Sequence, residues 1–196
     1  MSIKIANDTA NGSVTLKGQN VAGDKTITMP NLDCELAPRM QLMTAQASTS
    51  GTSIDFTGIP SWAKKITVMF NGVSTSGASF PQIQLGSSTF TVSGYTSAFS
   101  DITGSNQCGV SALFTTGFNF CGRANAGAAL SVIGSLQLVN ISSNNWVATG
   151  IVTSSTTSYQ GAGSVSLPGV LDRIRLTTVN GTDTFDAGQI NVLYEG

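Results

Sequence analysis

The chain has no histidine among its 196 residues. That removes the commonest general base and the commonest neutral metal ligand, and with them any Ser-His-Asp or Cys-His arrangement. Charge is nearly as scarce, at 10% of residues and a net charge of −1. With no basic block, nothing offers a surface for phosphates, so nucleic acid is not an expected partner. No run of like charges marks a disordered tail. Cysteine is limited to Cys34, Cys108 and Cys121. Their spacings match no zinc pattern, so they read as small buried or neutral residues, with a Cys108–Cys121 disulfide left open. No stretch approaches the roughly 18 apolar residues of a membrane span. The opening Met-Ser-Ile-Lys-Ile-Ala-Asn-Asp has no apolar core of signal-peptide length. The expectation is a chain made in a cytoplasm, without signal peptide, membrane insertion or cofactor. If it ends outside a cell, a route such as lysis takes it there.

Serine and threonine make up about a quarter of the chain, with abundant glycine and asparagine. That mixture suits strands with polar outer faces joined by frequent turns. It also resembles a disordered composition, but 40% hydrophobic residues argues against disorder. The length allows one large β domain, or one domain with a short appendage.

The pattern divides near residue 45. In the first part, Ser13-Val14-Thr15-Leu16-Lys17 places Val14 and Leu16 on one face, and Lys25-Thr26-Ile27-Thr28-Met29-Pro30 does the same with Ile27 and Met29. A turn-rich connector joins them, which predicts a small hairpin or meander over residues 1–44. An isolated two-stranded unit is marginal in water, so this stem is expected to pack against copies of itself or another protein. After a polar lead over 45–53, short alternating segments follow one another from residue 53: Ile54-Asp55-Phe56, Ile66-Thr67-Val68-Met69-Phe70, Gln82-Ile83-Gln84-Leu85-Gly86 and Thr89-Phe90-Thr91-Val92. Further segments lie at Ala112-Leu113-Phe114, at residues 130–138, at Trp146-Val147-Ala148-Thr149-Gly150-Ile151-Val152, and at residues 172–179 and 189–194. Asn71-Gly72 reads as the start of a turn, Ser87-Ser88 as a hairpin loop and Ser142-Ser143-Asn144-Asn145 as a turn. No window carries a helical stripe. The predicted fold is all-β, an antiparallel β-sandwich of jelly-roll type over 45–196 preceded by a short β stem.

Carboxylate pairs could still act as acid and base, with Asp55, Asp101, Asp172, Asp183 and Asp186 as candidates. Asp55, Asp172 and Asp183 lie beside strands or in turns, where Asp has ordinary structural uses, so no enzyme is expected. Asp183-Thr184-Phe185-Asp186-Ala187-Gly188 lacks the acidic spacing of a calcium loop and reads as a turn held by side-chain hydrogen bonds. Trp62 is read as an end plug of the sandwich, or else as a sugar-stacking platform, and Trp146 similarly. Tyr95, Phe99 and Tyr159 fall in stretches rich in Gly, Ser and Asn that read as loops. With Arg123 they are the candidate partner-binding residues, since loops on a rigid scaffold usually carry recognition and aromatic and Arg side chains supply much of the contact energy.

Two blocks carry a resemblance. Asp55-Phe56-Thr57-Gly58-Ile59-Pro60-Ser61-Trp62-Ala63-Lys64-Lys65-Ile66-Thr67-Val68-Met69-Phe70 and the segment Leu171-Asp172-Arg173-Ile174-Arg175-Leu176, continuing through 195, bracket the second part. They resemble a C-terminal module of phage and prophage tail-fibre and related virion proteins. Gly12-Ser13-Val14-Thr15-Leu16 and residues 22–30 are similar to short β segments of fibre shafts. The resemblance implies a fibre-type virion protein of a tailed phage, commonly a homotrimer. Residues 1–44 would attach it to other virion proteins, and the head would be displayed towards a host cell-surface glycan or protein. A capsid decoration or head-fibre protein without receptor binding, and a carbohydrate-binding module, are the alternatives. No catalytic residues come with the resemblance.

Overall fold

The computed structural model describes residues 4–6, 13–15, 39–102, 108–110, 113–121 and 131–196. The chain forms two compact units, Met1–Leu36 and Ala37–Gly196. In the first, β1 (Lys4–Ala6) pairs antiparallel with β2 (Ser13–Thr15), Ile5 opposite Val14. The strand expected at Ser13 is therefore present, but its partner is Lys4–Ala6. The segment at 25–30 lies outside the described residues.

The boundary falls before residue 37 rather than after 44. The short strand β3 (Met40–Leu42) and β4 (Gln46–Ala47) both pair with the last strand of the second unit. The Met43 amide donates to the Val192 carbonyl at 2.8 Å, and Arg39 and Gly196 exchange two backbone hydrogen bonds. These amides would otherwise lack partners, so the ladder draws residues 39–47 into the head.

The head is a sandwich of two antiparallel sheets. The remaining strands are β5 (Ser53–Thr57), β6 (Lys65–Thr75), β7 (Pro81–Ser87), β8 (Thr89–Phe90), β9 (Thr96–Ile102), β10 (Cys108–Val110), β11 (Phe118–Asn119), β12 (Val132–Ser142), β13 (Asn145–Ser154), β14 (Thr157–Ser166), β15 (Arg173–Thr178) and β16 (Phe185–Glu195). The larger sheet runs β10-β9-β14-β13-β12-β6-β16-β3, with β4 also on β16; the smaller runs β11-β7-β15-β5, with β8 also on β7. Among the described residues no helix is long and apolar enough to cross a membrane.

Period-two alternation explains the core. Along β6, Ile66, Val68 and Phe70 are buried while Lys65, Thr67 and Met69 are half-exposed. They meet Leu136, Leu138, Val152 and Val192 of the same sheet, and Phe56, Ile83, Leu85, Ile174 and Leu176 of the other, in one continuous cluster. Each such side chain contributes roughly 1.5–3 kcal/mol on burial. β11 lies close above the larger sheet because the strand beneath it is bare. A Cβ on Gly163 would stand 2.9 Å from the Phe118 ring, and one on Gly161 3.2 Å from the Asn119 carbonyl.

Asn71-Gly72 is not a turn. β6 continues through it to Thr75, and the register against β12 steps from Asn71–Ile133 to Val73–Val132, so Gly72 is the extra residue of a β-bulge. Its φ of 69° is the left-handed conformation that made the pair look like a turn. Ser143 does close the β12–β13 hairpin, and Ser88 the β7–β8 hairpin, both at positive φ.

Candidate functional site

Three of the four candidate contact residues are interior. Tyr95 is 2% exposed, Phe99 5% and Tyr159 0%. Arg123 lies outside the described residues. The stretch around 157–161 is strand β14, and its connecting turn is at Ser155-Thr156. Alternation supplies the reason. Asp101, Phe99 and Ser97 sit opposite Tyr159, Gly161 and Gly163, so these side chains share the inward face. Phe99 stacks on Phe114 at 5.8 Å and meets the Tyr159 ring edge-on at 6.1 Å. The Tyr95 hydroxyl accepts from the Leu85 amide at 2.8 Å and donates to the Thr91 carbonyl at 3.0 Å, so it clamps the end of the β7–β8 hairpin. Burial pushes its phenol pKa well above the usual value, against a smaller lowering by the Leu85 backbone hydrogen bond. These rings hold the sandwich together and present nothing to a partner.

The tryptophans behave as plugs. Trp146 is buried. Trp62 packs edge-on against Tyr194 at 5.3 Å, and the Arg39 guanidinium lies 5.5 Å from its ring centre. Cys121 is buried and unpaired as a disulfide, and burial raises its thiol pKa.

What the head offers instead is a polar depression of about 310 Å³ on the outward face of the smaller sheet. Inward-pointing Ile174 and Leu176 on β15 force Arg173, Arg175 and Thr177 outward. On β5, Asp55 points out between buried Ile54 and Phe56. The Arg175 guanidinium meets the Asp55 carboxylate through two hydrogen bonds of 2.7 and 2.8 Å. That hydrogen bonding raises the Arg175 pKa further, partly opposed by desolvation. Arg175 also lies 4.0 Å over the Phe90 ring. The floor is amide. Gln84 Nε2 donates to the Thr116 carbonyl at 2.9 Å, and Gln82 Oε1 accepts from the Thr116 hydroxyl at 2.9 Å. The depression thus combines fixed amides, hydroxyls and the Arg175 side chain, whose charge is neutralised by Asp55 from outside the lining. It has the chemistry to hydrogen-bond a polyhydroxylated ligand, and shows no nucleophile set against a base.

Three of the other four candidate carboxylates have structural partners. Asp183 accepts from the Ser79 amide at 2.9 Å and from Asn180 Nδ2 at 2.6 Å, as expected for a hydrogen-bonded turn. Asp186 accepts from the Ser74 hydroxyl. No cluster of three metal-ligating side chains exists among the described residues. Asp172 accepts from Arg173 Nε at 2.7 Å and from the Ser88 amide. The Arg173 hydrogen bond, against a smaller opposing desolvation, holds its carboxyl below the ordinary value of 3.8. A depressed carboxyl adds stability above its unfolded pKa and loses it as pH falls through the folded one. The pair is little buried and screened by solvent, so its contribution is small. The expected result is that the stability gap between wild type and Asp172→Asn, read from urea midpoints, is present at pH 7 and closes as pH falls below about 4.

In comparisons with known proteins, no family model matches the chain, and no curated protein or solved structure is significantly similar to it.

Proposed function

We propose that the chain is a non-catalytic, fibre-type structural protein of a tailed-phage particle. It attaches to other virion proteins through its N-terminal unit and displays the sandwich head, as a homotrimer, towards the host surface. The observation that carries this reading is the division into a hairpin unit and a sandwich head with its own core. A short β-hairpin gains little stability alone and is suited to docking on a larger assembly. The two sequence blocks that resemble fibre modules contain most of β5, the first half of β6, and all of β15 and β16, and these pair as β5–β15 in one sheet and β6–β16 in the other. They form a frame shared by both sheets, on which the stretch between them can vary.

The face read as meeting the host is the polar depression. Planar amide and guanidinium groups held by neighbours, beside hydroxyls, suit the hydroxyl array of a glycan. The test uses fluorescently labelled full-length protein on cells of the bacterium whose phage encodes it. Saturable binding is expected, with a loss of at least about tenfold in affinity for the Arg175→Ala/Gln84→Ala double variant, the scale of one lost charged hydrogen bond. Wild-type binding untouched by the double variant removes the depression from the contact. No cell binding by a particle-associated wild-type protein makes it a capsid decoration protein.

A further inference from the structure

The larger sheet has one face in the core and one in solvent, and the solvent face is unusual. Register places Asn71, Ile133, Thr153, Ser158 and Ile102 in one row across β6, β12, β13, β14 and β9, and Met69, Ser135, Ile151, Gln160 and Ser100 in the next. A third row runs from Leu42 through Leu193, Thr67, Gln137, Thr149 and Ala162. A fourth runs inward from Met40 at the sheet edge, carries Val139 and Val147, and includes Lys65 paired with Glu195. Those last two are the only charged residues in the four rows, and they neutralise each other at 3.0 Å. Leu42 is 57% exposed, Ile133 50% and Ile151 64%. An antiparallel sheet with one solvated face ordinarily alternates to polar on that side, with charges to keep it monomeric.

We propose that identical copies of this chain associate through this outer face of the larger sheet. The inference rests on the reading of the chain as an oligomeric head and names the surface that makes it one. Three features select a second copy as the occupant. The face carries no net charge, so two identical faces meet without like-charge repulsion, whereas a charged partner finds no complement. It has no aromatic or Arg side chain in those rows to anchor a glycan or a foreign peptide. Seven strands about 4.8 Å apart and four rows about 6.8 Å apart cover on the order of 800 Å². That is about the area each partner gives to a standard stable interface. Ile151 also stands beside a hollow of about 400 Å³ lined by Ser135, Gln137, Thr149 and Gln160, which places a knob and a recess together on one surface.

The experiment is light scattering on the full-length chain, whose protomer mass is 20.1 kDa. Wild type is expected at a multiple of that mass at micromolar concentration, twice it where two faces meet directly and three times it where they close around a three-fold axis, and Ile133→Glu/Ile151→Glu at the protomer mass with an unchanged circular dichroism spectrum. Val92→Glu, at an exposed apolar residue near the smaller sheet, is expected to keep the wild-type mass. Wild-type mass in the double variant overturns the interface while leaving the oligomeric head standing. A monomeric wild type overturns both. Should the double variant not fold, maleimide labelling of Ile151→Cys against Val92→Cys decides. Protection at 151 in an oligomer supports the interface. Equal labelling at both positions, or protection at 151 in a monomer, overturns it.

Discussion

Tyr95→Ala and Tyr159→Ala are each expected to cost about 3–5 kcal/mol of folding free energy, the range for emptying a buried aromatic site. Both rings are buried in the core cluster, Tyr95 edge-on against Phe118 at 5.0 Å and Tyr159 against Phe99. Since domains of this kind are stable by about 5–15 kcal/mol, the double variant should be largely unfolded. Tyr95→Phe isolates the hydroxyl. It keeps the ring but leaves the Leu85 amide and Thr91 carbonyl without the partner they share, at about 1–3 kcal/mol. Urea denaturation followed by tryptophan fluorescence measures all three, since Trp62 and Trp146 both touch the core. Wild-type midpoints in the alanine variants, with loss of cell binding, would restore the tyrosines to a contact role.

The second large effect is at Gly188. Its φ is 91°, and a Cβ there would lie 2.3 Å from the Gly72 carbonyl carbon and oxygen and 2.6 Å from the Val73 amide nitrogen. These are backbone atoms at the bulged crossing of β6 and β16, so no rotamer change relieves the clash. The register steps between Ala187 and Gln189 opposite Ser74 and Asn71, which pins the crossing from both strands. Gly188→Ala must therefore separate the two strands that frame the larger sheet, and a loss above about 4 kcal/mol is expected. Gly58→Ala is the control. Its φ is 80° but nothing lies within 4 Å of the added methyl, so it carries only the left-handed backbone penalty of about 1–2 kcal/mol. Equal losses at the two sites would mean that the close approach of Gly72 and Gly188 is not a constraint.

Strands with an apolar inner face were legible from alternation alone: β6, β12, β13, β15 and β16 lie where the pattern of Ile, Val, Leu and Phe places them. β9 and β14 were not, because Ser97, Gly161 and Gly163 interrupt the aromatic and apolar residues of their inward face. Those small residues exist to let β11 approach, a requirement set by a segment distant in sequence. The same cause turned Asn71-Gly72 from an apparent turn into a bulge, since only the facing Gly188 makes left-handed backbone useful inside a strand. Misreading β9 and β14 as loops then misassigned Phe99 and Tyr159, because an aromatic ring in a loop suggests contact and one in a strand suggests core; Tyr95 does precede β9 in a loop, and its hydroxyl turns inward to Leu85 and Thr91. The polar depression was half legible. Arg173 and Arg175 alternate with apolar residues and must point outward, but the fork with Asp55 joins positions 120 apart in sequence. The outer face of the larger sheet, whose one charged pair is self-neutralising, needed the strand order, which no local pattern gives.

The central claim is that this chain is a displayed component of a phage particle, and electron cryomicroscopy of purified particles from the phage that encodes it, with mass spectrometry of the same material, tests it most directly. The account predicts that the chain is present in the particle, with the sandwich of residues 37–196 fitting density at the exterior and residues 1–36 at the junction with the rest of the virion. Particles that contain no trace of the chain, while it is abundant in the lysate, would contradict it.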